Sequence, residues 1–184
     1  MSKEPTIIKE FSLYKGKCKV KFYPNSHKYL VNNKLVSGSV TGILSVFDKS
    51  QVLINWATEL FRDYLLDEIG IDNIKEEHIY TGCDLHFERK QKAADIGNAI
   101  HLWCSQYIKG EKPEMPEEKE VQIGVNAFMD WINANKVKFI SSERAVYSKK
   151  YDYIGMLDIE AKINGKLMLI DLKSSNGIYN TMYM

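Results

Sequence analysis

Asp158, Asp171 and Lys173 are the residues whose types and spacing point most directly to chemistry. Asp158 closes the run Gly155-Met156-Leu157-Asp158, and the other two lie in Leu169-Ile170-Asp171-Leu172-Lys173. Asn164-Gly165 lies between these runs and is a strong hairpin signal, because both residues tolerate positive φ. Asp158 and Asp171 are each six to seven residues from that turn, so the hairpin sets them near-opposite. Side chains two apart in a strand share a face, roughly 6.5–7 Å apart at the backbone, so Asp171 and Lys173 project together. Two close carboxylates repel each other unless a cation sits between them. A hard cation such as Mg²⁺ prefers oxygen ligands. It can polarise a phosphoryl oxygen and activate a bound water. Lys173 beside it can orient that water or offset charge developing on phosphate. Leu167, Met168, Leu169, Ile170 and Leu172 suggest a strand buried on both faces, where unpaired charge is costly. A buried Asp–Lys ion pair, or a strand end reaching solvent, explains the same residues without chemistry.

His101 and Glu143 are further candidates. On a helix, His101 has Gly97, Asn98, Cys104 and Ser105 at three and four residues' distance, a small and polar strip. A lone helical histidine is more often structural or exposed than a ligand. As a ligand it would offer a neutral ring nitrogen and shift preference from Mg²⁺ toward Mn²⁺. Glu143, in an alternating strand, shares a face with Phe139, Ser141, Ala145 and Tyr147, while Arg144 points the other way. It is open to three roles: a metal ligand, a carboxylate orienting a water, or a partner for a lysine. His27, His78 and His86 have no such company, and the last two read as surface or capping residues.

The elements that must position these groups follow from patterning. Residues 17–22 alternate lysine with Cys18, Val20 and Phe22, a strand period. Residues 27–31 and 34–36 are joined by Asn32-Asn33, a plausible two-residue turn. Ser39 is a credible N-cap for a short helix over 40–47. Ser50 can cap a helix over 51–69 that Gly70 terminates. Residues 71–83 read as irregular. A helix over 84–108 ends at Gly110, Pro113 and Pro116 mark a loop, and a last helix spans about 117–135. Residues 137–147, 151–163 and 166–173 read as strands.

The ordered set of these residues resembles the PD-(D/E)XK nuclease superfamily. Gly155-Met156-Leu157-Asp158 followed by Ile170-Asp171-Leu172-Lys173 looks like its signature, and Gly97-Asn98-Ala99-Ile100-His101 resembles the Gly-x-x-x-His helix of its RecB-like branch. Glu143 sits where that branch places a glutamate on the strand before the Asp strand. His27-Lys28-Tyr29 and the stretch Val36-Ser37-Gly38-Ser39-Val40-Thr41 resemble the N-terminal part of phage-type exonucleases of the branch, and mitochondrial genome maintenance exonuclease is similar there. The resemblance covers about residue 27 to the last residue. It implies an α+β, restriction-endonuclease-like core: a central mixed sheet flanked by helices, here with an N-terminal hairpin and helical elaboration. It implies a DNA nuclease, an exonuclease, with His101, Asp158 and Asp171 holding Mg²⁺ or Mn²⁺, Glu143 assisting and Lys173 positioning the water. The alternative is a non-catalytic DNA- or partner-binding member of the same fold. Tyr179-Asn180-Thr181-Met182-Tyr183 lacks the glutamine of the branch's Gln-x-x-x-Tyr motif. Eleven residues follow Lys173, too few for the last helix and strand of the family core, so the expectation is a truncated portion of a longer nuclease or a divergent product.

Composition bounds the remainder. The 184 residues suit a single domain: 1–49 strand-rich, 50–135 helical, 136–184 carrying the catalytic strands. The net charge of +1 is a cancellation: +6 over residues 1–36, −5 over 59–90 and +4 over 136–150. Basic segments of this kind either decorate exposed strands or flank a polyanion. For contact with single-stranded DNA or duplex ends, Ser39 and Thr41 open a helix N-terminus, Lys149-Lys150 offer charge, and Tyr179 offers a ring. Three cysteines exclude a disulfide framework and a four-cysteine iron–sulfur cluster and fit a reducing interior. The resemblance implies a cytoplasmic setting in a bacterium or a phage-infected cell. No apolar run approaches the roughly 18–20 residues that span a bilayer, so no membrane partner is expected.

Overall fold

The computed structural model describes residues 9–46 and 50–174. Alternation in the first segment produces an antiparallel meander, β1 (Lys9–Leu13), β2 (Cys18–Tyr23), β3 (Lys28–Val31) and β4 (Lys34–Leu35), in that spatial order. Cys18 and Val20 of β2 are buried while Lys19 is exposed, as a half-buried strand requires. Asn32 and Asn33 take φ of 50° and 64°, the left-handed pair of a tight hairpin. The Asn32 side chain also accepts from Lys19 N (2.9 Å) and donates to Lys17 O (3.2 Å). β1 escapes the sequence reading, although Lys9-Glu10-Phe11-Ser12-Leu13 alternates once paired with β2.

β5 (Gly38–Ser39) leads into the one-turn helix α1 (Val40–Leu44), which Ser39 caps by accepting from Gly42 N at 3.0 Å. α2 (Ser50–Asp63) continues into a π-helical turn, Tyr64–Ile69, and stops at Gly70, whose φ of 80° suits glycine. Ser50 is the first residue of α2 rather than a cap outside it. After a 3₁₀ turn, Ile71–Asn73, the long helix α3 runs Glu76–Ile108 and ends before Gly110, at φ 83°. Its start corrects the expectation of an irregular 71–83. The first turns of α3 bury only Gly82 and leave Ile79, Tyr80 and Phe87 exposed, so no buried apolar stripe announces them. They are held by α2 and the π-helical turn: a Cβ on Gly82 would lie 2.7 Å from the Phe61 ring. His78 acts at the cap, its Nδ1 accepting from Lys75 N at 3.2 Å. α4 (Lys119–Ala134) follows the proline loop. No described helix is long and apolar enough to cross a membrane.

β6 (Val137–Ser148), β7 (Tyr153–Ile163) and β8 (Lys166–Ile170) form a second antiparallel meander. Asn164 and Gly165, at φ 50° and 82°, turn β7 into β8. β5 pairs in parallel with the start of β7, which makes this sheet mixed and the fold α+β. β7 also joins two cores. Its Ile154 packs with Cys18, Val20, Tyr29, Val31 and Val36 of the N-terminal meander. Its Ile159 and Ala161 pack with Ile100, Trp103 and Cys104 of α3 and Val121, Val125 and Phe128 of α4. Burying each large aliphatic side chain contributes about 1.5–3 kcal/mol. Asp158 lies on β7 between these anchor points, so both clusters fix its backbone.

Candidate metal centre

Three elements bring His101, Glu143 and Asp158 together. One ligand atom from each lies within 4.8 Å of the other two. His101 Nδ1 is 4.0 Å from Glu143 Oε1 and 3.9 Å from Asp158 Oδ1. His101 is placed by the α3 turn whose neighbours Ile100, Trp103 and Cys104 are buried. Glu143 lies in β6 between the paired positions Ser142↔Ile159 and Arg144↔Leu157, which sets it opposite Asp158. It takes φ 50°, a left-handed conformation inside a strand, close to a register shift between Phe139 and Ser141. Arg144 is engaged elsewhere, 2.8 Å from Glu160 Oε2.

The hydrogen-bond chemistry of the cluster fixes the imidazole. His101 Nε2 lies 3.2 Å from Leu172 O. A carbonyl only accepts, so Nε2 carries the proton of that bond. Nδ1 of a neutral ring then aims a lone pair at two carboxylates. Three acceptors then converge, and either a proton on His101 Nδ1 or a cation between them would relieve their repulsion. The electrostatics agree in direction. The Glu143 carboxylate does most to raise the His101 pKa above its ordinary value, burial opposes it, and Asp158 adds to it. His101 in turn holds Glu143 below the usual carboxylate range, against burial and with smaller help from Lys9 and Lys109. Burial pushes Asp158 up, and the bond from Leu172 N (2.8 Å) works against that. Mg²⁺ takes ligands at about 2.1 Å, so these donors would have to draw closer together to hold an ion of that size. The set of two carboxylates and one imidazole fits Mg²⁺ or Mn²⁺. The Leu172 carbonyl on the second ring nitrogen is the outer partner that a histidine ligand needs.

The cluster opens on a cleft of about 800 Å³ lined also by Lys9 and Phe11 of β1, by Asn98 and Ser105 of α3, by Lys109 at the C-cap of α3, and by Met156. Small residues on α3, Ala93, Ala94 and Gly97, form part of one wall. Gly97 permits a close approach there: a Cβ would sit 3.0 Å from Ser174 Oγ.

Asp171 and Lys173 stand just outside this group. The pair Ile159↔Ile170 ends the regular β7–β8 ladder, and the next position would oppose Asp158 to Asp171. Beyond Ile170 the chain leaves the strand, and Leu172 N rather than a neighbouring strand satisfies Asp158. Asp171 pairs with Lys173, both well exposed, and both line a neighbouring groove of about 620 Å³ that His101 also borders. Lys173 Nζ reaches Leu172 O at 3.3 Å.

The proposed nucleic-acid contacts lie elsewhere. The Ser39 hydroxyl is engaged in capping, and Thr41 is exposed on the first turn of α1. Lys149 and Lys150 occupy the β6–β7 turn, each over a ring: Lys149 Nζ is 4.3 Å from the Tyr14 centroid and Lys150 Nζ 4.8 Å from that of Tyr151. About 20 Å of strand separates that turn from Asp158. Tyr179 lies outside the described residues. Lys9 and Lys109 border the site without having been singled out from sequence. The signal for Lys9 was its place two residues before Phe11 in an alternating run. Lys109 carried none beyond its spacing from His101. The chain matches no protein-family model, and a search of curated proteins gives no match.

Proposed function

We propose that this chain is a metal-dependent DNA nuclease with a restriction-endonuclease-like core, acting as an exonuclease on phosphodiester bonds. One observation carries the reading: His101 Nδ1, Glu143 and Asp158 converge as acceptors while Leu172 O fixes the ring that faces them. His101, Glu143 and Asp158 would hold Mg²⁺ or Mn²⁺, with Asp171 as a further carboxylate at the adjoining ladder position. When bound, the cation supplies Lewis-acid charge at a phosphoryl oxygen and lowers the pKa of water. The protein's own contribution is orientation. The Leu172 carbonyl holds the His101 ring, and Leu172 N holds the Asp158 carboxylate. Lys173 stands beside Asp171 with an ammonium that can hold a water or offset charge on the phosphate oxygens.

The test is end-labelled single- and double-stranded DNA incubated with Mn²⁺, Mg²⁺ or chelator. A metal-dependent product ladder is expected from the wild-type protein and none from Asp158→Ala of unchanged circular dichroism. Equal degradation by the two would overturn the reading. The pairing of Asp171 with Lys173, outside the three-residue cluster, favours a second reading: a module that binds metal and DNA without hydrolysis. Mn²⁺ binding with intact DNA in every condition would select it.

A further inference from the structure

We infer that Lys9 and Lys109 form a phosphate-binding rim on the cleft, holding a second phosphate of the strand whose scissile phosphate faces His101, Glu143 and Asp158. This rests on the nuclease reading and adds to it the residues that hold the polymer.

Lys9 is placed by strand alternation. In β1, Phe11 pairs with buried Val20 and Leu13 with buried Cys18, so these positions face the N-terminal core. Lys9 is two residues from Phe11 and pairs with Phe22, which extends the same inward row. A lysine on an inward row must carry its ammonium to open polar space. That space is the cleft, where Lys9 and Phe11 both line the wall.

Lys109 is placed by helical spacing. His101 and Ser105 of α3 and Lys109 at its C-cap follow at intervals of four, on one stripe, and all three line the cleft. The neighbouring Trp103 and Cys104 are core. The stripe facing the cleft is therefore polar through two turns, from a ligand histidine to a cation about 12 Å along the axis. A lysine at a helix C-terminus also complements the helix dipole. That alone does not require it to face the same opening as Lys9.

Lys9, Lys109 and Glu143 line the same cleft, so both cations face the opening onto which the cluster looks. Neither is in an ion pair among the described residues. The cleft thus offers an acceptor cluster for a metal and, next to it, positive charge from two separate elements. A mononucleotide presents one phosphate and satisfies only the first part. A strand with successive phosphates satisfies both.

The probe is a fluorescein-labelled single-stranded oligonucleotide, with Ca²⁺ in place of Mn²⁺, titrated at several salt concentrations. Each phosphate contact contributes about 0.7 to the slope of log affinity against log salt for single strands. Lys9→Ala/Lys109→Ala is expected to lower that slope by about 1.4, so that over a fourfold rise in salt the wild-type protein loses about sevenfold more affinity than the variant. Lys9→Arg/Lys109→Arg restores the slope, which separates charge from a structural effect at the end of α3. Nucleoside monophosphate affinity is expected to be the same in wild type and variant. An unchanged slope in the alanine variant, equal losses for monophosphate and oligonucleotide, or no oligonucleotide binding by the wild type each overturns the rim. Failure of the nuclease reading shows separately, as intact DNA when the wild-type protein is given Mn²⁺.

Discussion

Glu143 and Asp158 occupy opposed positions on β6 and β7, and both turn a carboxylate oxygen to within 4.0 Å of His101 Nδ1. Opposed like charges destabilise a sheet, so the pair exists at a cost that a cation removes. Mn²⁺ is therefore expected to stabilise the fold. At a hundredfold excess over Kd a ligand contributes about 2.7 kcal/mol, which for a chain of this size raises Tm by about 5–10 °C. Asp158→Asn and His101→Ala are expected to lose most of that rise. Thermal melts with and without millimolar Mn²⁺ measure it, and a wild-type Tm indifferent to the metal counts against the site.

Glu143 holds φ at 50° without being glycine or asparagine. Such a conformation costs about 1–3 kcal/mol and worsens for a β-branched residue. Glu143→Val is thus expected to be about 1–2 kcal/mol less stable in urea than Glu143→Gln, which keeps the shape of the side chain. Equal stabilities would show that the backbone at this position relaxes freely.

These two residues also mark what sequence reasoning can reach. Asp158 and the Asn164-Gly165 turn were legible because a two-residue turn fixes register and register fixes the facing position. His101 was legible because it interrupts an otherwise apolar helical pattern with small, polar neighbours. The backbone of Glu143 was not, since nothing in a glutamate announces a left-handed φ. The departure of the chain after Ile170 was not either. Strand pairing predicts Asp171 opposite Asp158, yet Leu172 N, not a strand neighbour, meets the Asp158 carboxylate. The start of α3 was hidden because its first turns carry no buried apolar stripe, and β1 because five residues alternate too briefly to stand out.

Asp152 ties Ser37, in the link between β4 and β5, to Tyr147 of β6 and makes stability depend on pH at both extremes. Its carboxylate accepts from Ser37 N (3.1 Å), from Ser37 Oγ and from Tyr147 OH (2.7 Å). The Ser37 hydroxyl first, then Tyr147, hold Asp152 below its ordinary 3.8. A depressed carboxylate contributes stability above its unfolded value that is lost as pH falls through the lower folded one. The same bond to Asp152 pushes Tyr147 from 10.0 up to about 12. A raised phenol contributes stability below pH 10 that is lost as pH rises through about 12. Asp152→Asn is expected to flatten the stability profile both below about pH 4 and between pH 10 and 12. Urea midpoints across that range measure it, and a variant profile parallel to the wild type would remove Asp152 from the account.

Lys173 and Asp158 can be separated by what each loses. Asp158 belongs to the converging acceptors, whereas Lys173 contacts Asp171 and Leu172 O at the edge of the neighbouring groove. If Lys173 orients a water or offsets phosphate charge, Lys173→Met leaves the Mn²⁺-induced rise in Tm intact. It is then expected to lower the cleavage rate by about 10²–10³, the usual cost of removing one charge-stabilising donor. Asp158→Asn loses the Tm rise and the cleavage together. Single-turnover cleavage measured beside Mn²⁺ melts distinguishes the two patterns. Loss of the Mn²⁺ response in Lys173→Met would instead make Lys173 a support of the metal site itself, acting through the Leu172 carbonyl that it shares with His101.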